Sequence, residues 1–238
     1  MVDWIIDNGT TILLAAFVIL GALLFWRKGA MVSKRARKIK EYAAEIGWTH
    51  EASSQKLNAF MLESDLVNFA PYSDTEAQPR KITLLNILSA TDTMLFDYSS
   101  SGFEVDKTIL FARVRGVDFP HFLLKPKGLL EKAEKLAGFQ KMDCPAGLSA
   151  DYCLVGESAA DVDQLFRPRV LDALSFRTDF CVEVWSDRIL ITTDERLRLM
   201  STEGSGANRI GLFDFQDYRK FHQDAMRLVN SLAAELED

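Results

Sequence analysis

An α+β fold, with one N-terminal transmembrane helix ahead of a cytosolic domain of antiparallel sheet and packed helices, is what this 238-residue chain predicts. Three observations carry that reading. An unbroken apolar run lies near the N-terminus, a cluster of bases follows it at once, and short β-rich runs joined by tight turns then alternate with helical stretches. The composition, 48% hydrophobic and 26% charged, is that of ordinary globular chains and excludes disordered, collagen-like and disulfide-knot classes.

The charge is segregated. The chain carries 28 bases and 34 acids, a formal −6, but residues 1–26 hold only Asp3 and Asp7. Residues 27–40 hold Arg27, Lys28, Lys34, Arg35, Arg37, Lys38 and Lys40 and no acid. Residues 41–238 therefore keep 28 − 7 = 21 bases and 34 − 2 = 32 acids, a net of −11. The divisions that follow are a short tail at 1–9, a span at 10–26, a basic juxtamembrane segment and helix at 27–47, and one α+β domain at 48–238.

Thr10 to Trp26 reads TTILLAAFVILGALLFW. At ~1.5 Å per residue it covers roughly 25 Å of a ~30 Å hydrocarbon core. Backbone amides left unpaired in lipid are costly, so the run should be helical, with Trp4 and Trp26 at the interfaces. A cleaved signal peptide would carry its bases before the apolar run, whereas here they come after it. A surface amphipathic helix would need a polar face, and this segment has none. Bases adjoining a span stay on the cytoplasmic side, which puts the N-terminus outside and residues 27–238 in the cytosol. Arg27, Lys28, Lys34, Arg35, Arg37, Lys38 and Lys40 then make up the membrane interface on that side, and lipid is the partner expected along residues 10–40. No GxxxG-type pair of small residues marks the span for tight dimerisation.

Beyond the span, Ser33 can open a helix whose Ile39, Tyr42, Ala43 and Ile46 share one face and which Gly47 ends. A weaker helical stretch near Gln55–Leu66 and a loop with Pro71 and Pro79 come next. Lys81–Ala90 and Thr93–Tyr98, separated by Thr91-Asp92, read as a β-hairpin. Ser99-Ser100-Ser101-Gly102 is a turn, and Thr108–Val114 and His121–Leu124 are further strands. A helix after Pro126 carries Leu129, Leu130, Ala133, Leu136 and Ala137 to a stop at Gly138. Tyr152–Val155 is a strand, Ser158 opens a helix with Val162, Leu165 and Phe166, and Pro168 restarts it through Val170, Leu171, Leu174 and Phe176. Phe180–Trp185 and Arg188–Thr193 form a hairpin about Ser186-Asp187. After the linker Gly204-Ser205-Gly206, a last helix runs from the cap Asp214 to about Leu236, with Phe215, Tyr218, His222, Ala225, Val229, Leu232 and Leu236 in one stripe. Strands joined by short turns make antiparallel ladders, hence α+β and not a wound parallel sheet. The pattern does not say whether the early strands and the late hairpin share a sheet.

The candidate catalytic residues are Ser158, Cys144 and His222. Gly156-Glu157-Ser158-Ala159-Ala160 looks like the GxSxG nucleophile elbow and lies between a strand and a helix, with His222 later in the chain. Its context argues against that chemistry, because the strands are hairpin-joined, the helix meets Pro168 within ten residues, and no oxyanion segment precedes it. The competing role for Ser158 is an N-cap. Cys153 and Cys181 fall inside strands, Cys144 in a loop, and no CxxC is present. His50, His121 and His222 are scattered, so no metal site is expected, and no cofactor motif appears. The acidic domain lacks interleaved basic and aromatic residues, which argues against nucleic acid.

Several pieces together resemble a family of uncharacterised bacterial proteins, many with an N-terminal membrane helix. They are Glu45-Ile46-Gly47-Trp48, Phe96-Asp97-Tyr98, Thr108–Val114, Phe119-Pro120, Leu124-Lys125-Pro126-Lys127-Gly128-Leu129-Leu130, Tyr152-Cys153-Leu154-Val155-Gly156-Glu157 and Leu165-Phe166 to Val170-Leu171. This chain departs from the pattern where the glycine-rich turn after Phe96-Asp97-Tyr98 is shortened and where Lys127 replaces an acid. The resemblance implies one fold across about residues 35–195, with the Gly156-Glu157 pair ending a strand and opening a helix. It implies no activity, substrate or catalytic residue. The location expected from the span and its bases is the bacterial inner membrane. The expectation is a single-pass protein whose cytosolic domain is an interaction or scaffold module for a protein partner. The alternatives are a membrane-associated hydrolase using Ser158 or Cys144, and a lipid-binding module holding an acyl chain in a curved sheet.

Overall fold

The computed structural model describes residues 17–20, 33–54, 83–99, 107–126, 139–148, 152–175, 177, 179–193 and 215–236. Helix α1 spans 33–45. It ends in a Schellman motif, with Gly47 at φ +73° and the amides of Gly47 and Trp48 reaching the carbonyls of Ala44 and Ala43. Strand β1 (Thr49–Ser54) follows, a polar edge strand that the sequence pattern did not reveal. Next come β2 (Thr83–Ser89), β3 (Thr93–Ser99), β4 (Lys107–Arg113), β5 (Phe119–Pro126), β6 (Gln140–Met142) and β7 (Tyr152–Gly156). The chain continues through α2 (Ala159–Asp163), α3 (Pro168–Ser175), β8 (Phe180–Ser186), β9 (Arg188–Thr193) and α4 (Phe215–Ala234). The expected helices at Gln55–Leu66 and after Pro126, the Gly204-Ser205-Gly206 linker and the Asp214 cap lie outside the described residues.

The nine described strands join one antiparallel sheet in the order β1-β2-β3-β4-β9-β8-β5-β7-β6. The early meander and the late hairpin are thus one sheet, because β9 pairs with β4 and β8 with β5. Central strands are covered on both faces, so β4 and β7 read as nearly continuous apolar runs. One face packs on the helices, bringing Leu95, Leu110, Phe122, Leu124, Leu154 and Val182 against Ile39, Tyr42, Val162, Val170, Leu174, Tyr218 and Phe221. The opposite face gathers Leu84, Ile87, Phe96, Ile109, Leu123, Val155, Cys181 and Leu190, and no residue of α1–α4 belongs to that cluster.

On α4 the buried stripe is Tyr218, Phe221, Ala225, Leu228, Val229 and Leu232, while Leu236, expected to close it, is exposed. Arg177 pins α4 to the start of β8. Its guanidinium holds Asp179 at 2.7 and 2.8 Å and Asp224 of α4 at 3.4 Å. The Tyr152 hydroxyl donates to the Arg177 carbonyl at 2.7 Å and accepts from the Phe180 amide at 3.2 Å.

Gly156 ends β7 where strands crowd. A Cβ there would lie 2.8 Å from Met142 Cε, 2.9 Å from the His121 carbonyl oxygen and 3.1 Å from Phe122 Cβ. The methionine can yield, but the paired β5 backbone cannot. Gly156→Ala should therefore destabilise the fold by about 1–3 kcal/mol, read as a lower denaturant midpoint with an unchanged slope. An unaltered midpoint would refute the close approach.

Among the described residues no helix is long and apolar enough to cross a membrane. Of the span expected at 10–26, only Phe17, Val18, Ile19 and Leu20 are described, and they are helical. Trp4, Trp26, Arg27 and Lys28 lie outside the described residues.

Candidate functional site

Ser158, Cys144 and His222 each engage different neighbours. Ser158 is the N-cap of α2, in extended conformation (φ −135°, ψ 110°). Its carbonyl accepts from the Val162 amide at 3.1 Å, but its side chain makes no capping bond, so the expected side-chain cap is corrected to a backbone one. Cys144 is half-buried and donates to the Tyr152 carbonyl at 3.2 Å. His222 is buried on α4 and shares a 2.7 Å hydrogen bond, through Nδ1, with the Tyr42 hydroxyl of α1. Trp48 stacks edge-on against its ring, 4.8 Å between centroids. Burial lowers its pKa to about 4. A neutral imidazole walled in by Tyr42 and Trp48 is a packing element between α1 and α4. Among the described residues no group of three or more His, Cys, Asp or Glu is arranged to hold a metal ion.

What the fold does assemble is a buried charged site where α1 meets the sheet. Arg35 is 7% exposed and Asp97 is fully buried. The guanidinium grips the carboxylate through both oxygens, Nη2 to Oδ1 at 2.8 Å and Nε to Oδ2 at 3.1 Å. Asn86 Nδ2 donates to Oδ2 at 2.9 Å and the Thr108 hydroxyl to Oδ1 at 2.9 Å. Asn86 reaches Asp97 from a register shift between Leu85 and Leu88, with its own backbone at φ +49°. Bulges re-aim side chains in this way. Arg35 also lies 5.4 Å from the centre of the Tyr218 ring of α4. Both ions leave water, which costs several kcal/mol each, and only this full set of partners offsets the loss.

This overturns one expectation. Arg35 faces inward as the core anchor of α1 and is not an interface base. Lys34, Arg37 and Lys40 are exposed, Lys38 is half-buried, and Arg37 pairs loosely with Glu41 at 3.8 Å. α1 is thus two-sided, with Arg35, Ile39 and Tyr42 gripping the domain and cations on the outer face.

A second group absent from the sequence reading sits on the opposite sheet face. His121 Nε2 lies 3.4 Å from the buried Glu183 carboxylate and Nδ1 lies 3.6 Å from Glu157. Its ring packs edge-on against Phe139 at 4.5 Å.

No protein-family model matches the chain, and no curated protein matches it in sequence. Among solved structures it is similar to the crystal structure of the mycobacterial trehalose monomycolate transport factor A, TtfA. The two superpose with a TM-score of 0.55 over 85% of this chain and 94% of that one, at 11% identity. The likeness is one of fold. It extends the α+β reading to a solved example in which nearly the whole of TtfA takes part.

Proposed function

We propose that this chain is a single-pass, membrane-anchored protein whose domain faces the cytoplasm and works as an interaction or scaffold module. The observation that supports this most directly is the state of Phe17, Val18, Ile19 and Leu20. Consecutive helical residues point in directions about 100° apart, so four in a row sample nearly every side of the helix. Here they are exposed by 77, 64, 60 and 55%. No side of this turn is packed on the domain, and a helix bare and apolar all round needs an apolar solvent. The basic segment follows, and Arg35 then ties it into the sheet. The fold likeness to TtfA supports the same reading, since that protein is named a transport factor. Nothing comparable favours a hydrolase: Ser158 sits at the N-cap of α2 without a side-chain capping bond, and the Cys144 thiol donates to the Tyr152 carbonyl.

Membranes from cells expressing the full chain test the anchor. The protein should stay in the pellet through alkaline carbonate and leave it with detergent, and a reporter fused to the C-terminus should be active in the cytoplasm. Release without detergent, or reporter activity on the far side, would overturn the proposal.

A further inference from the structure

Between α3 and α4 the helix layer opens into a shallow groove of about 520 Å³, lined by Arg169, Gln223, Met226, Arg227, Asn230 and Ser231. None of these lining residues is acidic, although residues 41–238 hold 32 acids against 21 bases. Two guanidiniums reach the groove from different helices, with amide and hydroxyl groups between them and one thioether on its wall. Planar guanidinium forks match the oxygens of a phosphate, and the neutral donors add hydrogen bonds to the same group. Glu235, just past the end of α4, is engaged by Arg167 at 3.5 Å.

The location of the groove selects the ligand. α4 packs on α1 near its start, through His222 with Tyr42 and Arg219 with Glu45, and on α3 further along. The same helix layer carries the exposed Lys34, Arg37 and Lys40 of α1 and Lys220 of α4. Ser33 follows Trp26 by seven residues, which span at most about 25 Å when extended. A bilayer holding residues 10–26 therefore lies within reach of this layer.

We propose that the α3–α4 groove binds the phosphate-bearing headgroup of an anionic phospholipid from the bilayer that anchors the chain. Arg169 and Arg227 clasp the phosphate, Gln223, Asn230 and Ser231 supply further polar contacts, and Met226 meets the start of the glycerol backbone. This rests on the membrane-anchored reading and adds to it a lipid that positions the domain.

The test uses the full chain in detergent, supplied with phosphatidylglycerol or phosphatidylcholine, with bound lipid counted by native mass spectrometry. The protein should retain phosphatidylglycerol at least tenfold over phosphatidylcholine. Arg169→Gln/Arg227→Gln should lose that preference while keeping the wild-type thermal midpoint. Lys34→Gln/Arg37→Gln/Lys40→Gln, which leaves the groove intact, should keep it. Equal retention of the two lipids, or a preference untouched by the double substitution, would overturn the proposal. A calorimetric titration with inorganic phosphate and with glycerol 3-phosphate forms a separate arm. Arginine-dependent binding there without any lipid preference would assign the groove to a free phosphate compound and overturn the headgroup. Because retention is measured in detergent, a chain that fails the carbonate test yet keeps arginine-dependent phosphatidylglycerol refutes the anchor alone. Firm anchoring without such retention refutes the groove alone.

Discussion

Asp97→Ala is expected to cost about 3–5 kcal/mol of folding free energy, the range for breaking a buried ion pair from one side. The substitution leaves the Arg35 guanidinium in a 7%-exposed site with its carboxylate gone. It also leaves Asn86 Nδ2 and the Thr108 hydroxyl without the acceptor they both use. Arg35→Met should cost a similar amount for the opposite reason, a fully buried carboxylate held by two neutral donors alone. Arg35→Met/Asp97→Leu removes both charges and should be much less damaging than the two single losses added together, because apolar replacement of a whole buried pair is often close to neutral. Urea unfolding of the four proteins in one detergent gives the cycle. A shift below about 1 kcal/mol for Asp97→Ala would mean that the pair is solvated, and the account of α1 as locked to the sheet would fall. Limited proteolysis adds a local readout, since the loss of Asp97 should release α1 before the sheet opens.

Acidification supplies the second large effect. His222 has its pKa lowered from 6.5 to about 4 by burial. Between those values the unfolded chain binds a proton that the folded chain refuses, so stability is full above pH 6.5 and declines as the pH falls toward 4. The slope approaches 1.4 kcal/mol per pH unit, and about 3 kcal/mol is lost by pH 4. Carboxylates elsewhere add their own acid dependence, so the comparison must be with a variant that keeps all of them. Tyr42→Phe/His222→Phe removes both partners of the 2.7 Å hydrogen bond and strands neither. Its stability relative to wild type should improve by about 3 kcal/mol between pH 7 and pH 4. Parallel pH profiles for the two proteins would show that the imidazole is protonated in the folded state and refute its enclosure.

Much of the site was within reach of sequence reasoning. Helical spacing already gathers Ile39, Tyr42, Ala43 and Ile46 on one face, and Arg35 stands four residues before Ile39 on that same face. Counting it with its basic neighbours hid the fact that helical position outranks charge in deciding which way a side chain points. Asp97 likewise interrupts a β-rich run between Phe96 and Tyr98, in a motif that the family resemblance includes. A carboxylate there has to find a cation or give up its charge. Which cation it finds is a matter of topology, since 62 residues separate it from Arg35. Strand β1 escaped notice because its residues, THEASS, have neither the alternation nor the β-branched content of an edge strand read by pattern. Strand β6 is only three residues long and exists because β7 offers it a ladder. His121, Glu157 and Glu183 are spread over 62 residues and meet only because β8 and β7 flank β5.

By itself the sequence determined the local quantities: the α+β class, the hairpin of β8 and β9, the glycine stop after α1, the apolar stripe of α4, and the order of apolar run, basic segment and acidic remainder. Each depends on neighbours within a few residues, where periodicity and turn chemistry act directly. The tertiary structure alone decided that β4 pairs with β9 and β5 with β8, that Arg35 turns inward to Asp97, that His222 serves Tyr42 and not Ser158, and that Arg169 and Arg227 face one groove. Those outcomes depend on which distant surfaces can be buried together without leaving an ion or a hydrogen-bonding group unmatched, and that competition is settled by the whole chain at once.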